Sequence, residues 1–129
     1  MTRLFANALL AAEIAVAYVR VRRLLRREPL PAVVAVLRRP SAAAPADGGV
    51  ATGRRLGNAV ARTLRMLPGD TRCLTQSLVL TRLLARRGID SRLVIGVRPG
   101  ARFAAHAWIE AGDVALLPAG APFEELVTL

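Results

Sequence analysis

The hydrophobic pattern of this chain changes period at Gly88, and that switch sets its fold class. N-terminal to Gly88, apolar residues recur three and four positions apart, the spacing of one face of an α-helix. C-terminal to it they fall in short runs: Leu93-Val94-Ile95 with Val97, Phe103 to Ala111, Val114 to Leu117, and Leu126 to Leu129. Runs of this length, bounded by Pro99-Gly100 and Gly112-Asp113, predict strands. Helices first and an antiparallel sheet after them make an α+β domain.

The helical part divides further. Residues 3–27 predict one helix, stopped by Pro29 and Pro31, and a shorter helix follows from Ala32 to Arg39. The Pro-, Gly- and Ala-rich stretch from Pro40 to Gly49 predicts a linker. Leu56, Val60, Thr63, Leu64 and Leu67 predict a helix over 54–67, ended by Pro68-Gly69. Asp70 is placed to cap the next helix, accepting N–H bonds from its first turn. That helix runs through Leu74, Leu78, Leu80, Leu83 and Leu84 to Arg87, with Gly88 as its left-handed C-terminal cap. Arg86 and Arg87 then sit at the negative end of the helix dipole. The expected organisation is a helical arm over 1–39, a linker over 40–53 and a core over 54–129.

Composition narrows the function. Hydrophobic residues make up 53% of 129, which excludes a disordered chain, and aromatics only 4%, so the core is built from Leu, Val, Ile and Ala. The net charge of +10 comes from 19 basic residues, all of them Arg. Such a balance favours anionic partners, whether nucleic acid, a membrane surface or an acidic peptide. No aromatic residues interleave with Arg22, Arg23, Arg26 and Arg27 to stack on bases, so nucleic acid is not the expected partner. The apolar stretch from Leu4 to Val19 contains Asn7 and Glu13 and is shorter than the ~20 apolar residues a spanning helix needs. It predicts an amphipathic helix docking on the domain or a partner, with peripheral membrane contact as the alternative. The single cysteine leaves no internal disulfide and fits a reducing cytoplasm. One Cys and one His do not complete a structural zinc site.

Those two residues carry the chemistry. Cys73 falls in the first turn of its helix, where unpaired N–H groups and the positive dipole end stabilise a thiolate, the reactive form. His106 lies on a predicted strand. A cysteine at a helix start followed by a histidine on a strand is how papain-like sites are assembled, the helix abutting the sheet so that imidazole meets sulfur. Each residue alone has a plainer reading: an isolated Cys as a small buried hydrophobe, and His106 as a satisfied core residue.

The segment Cys73-Leu-Thr-Gln-Ser-Leu-Val-Leu-Thr-Arg-Leu-Leu-Ala-Arg-Arg-Gly-Ile89, followed by Leu93-Val-Ile-Gly-Val97 and Phe103-Ala-Ala-His-Ala-Trp-Ile-Glu110, resembles the leader peptidase of lasso-peptide biosynthesis. That family is the peptidase half of the so-called B protein, within the transglutaminase-like, papain-related superfamily. The resemblance covers roughly residues 54–117. It implies a catalytic helix packed on a small antiparallel sheet, with Cys73 as nucleophile and His106 as base, and no cofactor. It also implies a cytoplasmic enzyme that cuts leader from core in a lasso precursor peptide. Its partners would be a separate leader-recognition protein and an ATP-dependent lasso cyclase acting on the cleaved core.

The chain departs from the family at the third catalytic position, where the usual carboxylate on the neighbouring strand is replaced by Pro118. Asp113 lies in the turn, Glu110 is about 13 Å along the strand from His106, and Glu124 and Glu125 arrive on the last segment. Two readings stay open there, a working Cys–His dyad oriented by a backbone carbonyl, or a weakened site; the dyad is favoured. The competing classes are a non-catalytic basic module that binds a peptide or a membrane, and an acyl-transferring transglutaminase-like enzyme.

Overall fold

The computed structural model describes residues 2–39, 49–66, 73–98, 104–111, 114–115 and 124–129. Four helices precede four strands: α1 (Thr2–Arg27), α2 (Leu30–Leu37), α3 (Gly49–Arg65), α4 (Cys73–Arg86), β1 (Arg92–Arg98), β2 (Ala104–Ala111), β3 (Val114–Ala115) and β4 (Glu124–Thr128). The strands form one antiparallel sheet in the order β3-β2-β1-β4. This is the α+β arrangement the change of period predicts. Asp70 and the Pro68-Gly69, Pro99-Gly100 and Gly112-Asp113 turns lie outside the described residues.

Two helix starts differ from the sequence expectation. α2 opens at Leu30 rather than Ala32, with Pro29 as its N-cap residue and Pro31 inside its first turn. Proline is tolerated there because the first N–H groups of a helix have no intrahelical partner to lose. The same two prolines therefore end α1 and begin α2. α3 starts at Gly49, so residues 49–53 of the expected linker are helical. Gly53 and Gly57 are buried on the same face as Leu56, Val60 and Leu64. Packing of that face outweighs the intrinsic cost of glycine in a helix, about 1 kcal/mol each.

One core receives every layer. Ile14 and Val21 of α1, Val33 and Leu37 of α2, Leu56 and Leu64 of α3, Leu78, Leu80, Leu83 and Leu84 of α4, and Leu93 and Ile109 of the sheet are all fully buried in one cluster. Each such side chain contributes about 1.5–3 kcal/mol by leaving water. Residues 1–39, expected as an arm, thus share their apolar side chains with the rest of the chain. α4 is the centre of the assembly, contacting α1, α2, α3, β1 and β2.

Polar groups tie the layers at their ends. Arg82 of α4 donates from one guanidinium nitrogen to the carbonyls of Leu37 and Arg39, satisfying the C-terminal end of α2. Arg38 reaches from that end to the carbonyls of Ser91 (2.7 Å) and Leu129 (2.6 Å), pinning helix to sheet. Burial lowers the pKa of the Arg38 guanidinium, while Asp90 opposes the shift. The C-terminus of α4 closes on Gly88, at φ 70°, with Ile89 N–H bonded to Leu84 O and Gly88 N–H to Ala85 O. That is the double-bonded glycine cap, and it occupies the position predicted for it. Glu13 of α1 pairs with both Arg86 and Arg87, each at 2.8 Å, so the expected basic end of α4 also has a half-buried acidic partner.

α1 runs past the limit the sequence count suggested. Over Arg3–Arg27 it is long and apolar enough to cross a membrane by length and composition, with 22% of its most apolar window buried in the fold. The buried face is Ile14, Ala17, Tyr18 and Val21, at three- and four-residue spacing.

Candidate active site

Cys73 is the first residue of α4, half-buried and packed against the core. Its position follows from the packing of α4: residues 75 and 77–81 face inward, and the helix start is carried to the sheet by its contacts with β2. There the Ala107 backbone N–H donates to Cys73 Sγ at 3.3 Å. The sulfur thus lies between a backbone N–H of β2 and the start of α4. Among the described residues β3 pairs with β2 at Glu110 and Ala111.

His106 is the residue immediately before that donor. It sits half-buried on β2, paired across the sheet with Gly96 of β1, which sets no side chain beside the imidazole. Its ring stacks on Trp108, centroids 5.9 Å apart and planes 25° from parallel. Trp108 is buried, and its indole Nε1–H donates to Glu110 Oε2 at 2.8 Å. Glu110 Oε1 in turn accepts from Arg92 at 3.3 Å. The alternation of a strand puts residues 106, 108 and 110 on one face. Glu110 fixes the indole against which the imidazole stacks.

The third position fares differently. Pro118 lies outside the described residues. The β2–β3 register, Ala111 opposite Val114, leaves two residues between paired positions, as the expected turn requires. In β4, the backbone of Glu125 pairs with Gly96, whose other neighbour is His106, so one cross-strand row runs His106–Gly96–Glu125. Among the described residues no three His, Cys, Asp or Glu side chains come together that could hold a metal ion.

A family model described as the transglutaminase-like superfamily matches residues 15–128, which is most of the chain. The chain belongs to the transglutaminase-like superfamily. No match was found among curated proteins or among solved structures. The matched region takes in α4, β1 and β2 entire, and it also begins within α1. A transglutaminase-like domain with a helix-start cysteine against a histidine-bearing strand has the parts for acyl chemistry through a thioester.

Two elements of the site were not signalled by composition or spacing. The Ala107 N–H is a backbone group whose role depends on the register between α4 and β2. Gly96 opposite His106 depends on the β1–β2 pairing. The link from Trp108 to Glu110 did carry a signal, since residues two apart on a strand share a face.

Proposed function

We propose that this protein is a cysteine peptidase that removes the leader peptide from a ribosomally made lasso precursor, acting with a separate leader-recognition protein. The observation that carries the reading is the Ala107 N–H bond to Cys73 Sγ, which brings the sole thiol to the peptide unit shared with the sole imidazole. Superfamily membership and the Cys73, His106 and Trp108-Ile-Glu110 motif support it.

In this reading His106 takes the thiol proton as Sγ attacks the carbonyl carbon of the leader–core bond. The carbonyl electrons move to oxygen, and the backbone N–H of Cys73, in the first turn of α4, donates to that oxyanion. Collapse breaks the C–N bond, and His106 returns the proton to the departing amine of the core. Water, deprotonated by His106, then cleaves the thioester and releases the leader as a carboxylic acid. Stacking on Trp108 limits rotation of the imidazole throughout, a restraint that a carboxylate supplies in other triads. Acyl transfer to an amine instead of water uses the same thioester; the superfamily's name favours keeping that outcome in the assay.

The test is incubation with a candidate precursor and recognition protein, following cleavage by mass spectrometry. Cys73→Ala and His106→Ala are each expected to lower the rate by at least about 10³-fold. Undiminished cleavage by Cys73→Ala rejects the mechanism. An amine adduct on the leader in place of the free acid identifies acyl transfer.

A further inference from the structure

The outer face of α1 is apolar where a solvated helix is polar. At 100° per residue, Leu4, Phe5, Leu9, Val16 and Val19 fall within a sector about 140° wide, roughly opposite the buried Ile14 and Val21. Phe5 is 68% exposed and Val16 70%, and no charged residue enters that sector between residues 4 and 19. At the C-terminal end of the same face the character inverts. Arg20, Arg23, Arg26 and Arg27 are all exposed, and none is paired with a carboxylate among the described residues. A shallow groove lined by Ala15, Val16, Val19, Arg20 and Arg23 marks the junction of the two. The one acid of α1, Glu13, is held on the other side by Arg86 and Arg87.

We infer that α1 is an interfacial helix that seats this protein on an anionic lipid surface. Charge complementarity selects the occupant. A second copy would bring the same unpaired arginines onto this face with no acid to meet them. A partner helix seats on a narrow seam with charges alongside it, whereas here the apolar sector is wide and the charges are gathered at one end. A bilayer accepts that pattern: the aliphatic and Phe side chains enter at the acyl boundary and the guanidinium groups stay with lipid phosphates. With Ile14, Ala17, Tyr18 and Val21 committed to the core, only the outer face of α1 meets lipid, so the helix lies on the surface rather than crossing it. The inference does not depend on the peptidase reading.

The test is co-sedimentation of the full chain with vesicles of phosphatidylcholine containing about one-third phosphatidylglycerol, against phosphatidylcholine alone. Binding to the anionic vesicles is expected, with at least about tenfold weaker binding to neutral ones. Phe5→Glu with Val16→Glu is expected to lower the partition coefficient at least about tenfold. Arg20→Gln, Arg23→Gln and Arg27→Gln together are expected to lower it roughly a hundredfold. Both sets are on exposed positions, and unchanged circular dichroism verifies the fold. Absence of binding to anionic vesicles at low salt overturns the inference, as does wild-type binding by the Phe5→Glu, Val16→Glu variant. A dimer in solution that this variant converts to monomer, without vesicle binding, assigns the face to a second copy and likewise overturns it.

Discussion

The two ends of α4 are built for different tasks. At its C-terminus Gly88 turns the chain, Ile89 and Gly88 satisfy the last carbonyls, and Glu13 pairs with Arg86 and Arg87. At its N-terminus stands Cys73, whose sulfur receives one backbone N–H from the neighbouring strand. The helix between them is anchored by fully buried Leu78, Leu80, Leu83 and Leu84. One end is closed by polar groups that stabilise the fold. The other sets a half-buried thiol against a sheet. A helix rigid at one end holds what it carries at the other within the small tolerance that acyl chemistry needs.

That contrast can be broken by substitution. The largest effect is expected from Cys73→Ala, which removes cleavage yet leaves the free energy of unfolding in urea within about 1 kcal/mol of wild type, because the site is half-buried. A large loss of stability would make Cys73 a core residue instead. Next is Glu13→Ala at the closed end, expected to cost about 1–3 kcal/mol by leaving two arginines without their acid. Cleavage by that variant at a temperature where it is folded should be unchanged. Smallest is Gly88→Ala, expected to cost about 1 kcal/mol because alanine is disfavoured at φ 70°. A neutral result would mean that the cap relaxes to another geometry. Urea unfolding followed by circular dichroism measures both.

Much of the fold was legible because its signals are local. The three- and four-residue spacing in α3 and α4, the glycine at 88 and the short runs after it each report the geometry of their own segment. The start of α2 lies before the predicted Ala32 because proline signals both a helix end and a helix start, and only the chain's path separates them. The start of α3 lies before the predicted Arg54 because glycines such as Gly53 resemble linker residues until packing buries one side of the helix. The candidate site is signalled in the sequence by its side chains and not by its backbone. Cys73 declared itself by standing near a helix start, and His106 by being the only partner of its kind. The Ala107 donor and the bare Gly96 beside the imidazole come from register, which no single segment encodes.

The proposed peptidase function requires His106 to activate Cys73 across the α4–β2 junction. Iodoacetamide labelling of the native protein at mildly acidic pH, comparing wild type with His106→Ala, tests it most directly. The account predicts rapid single-site labelling of Cys73 in the wild type and labelling at least about tenfold slower in the variant. Equal rates in the two proteins, or labelling only after unfolding, would contradict it.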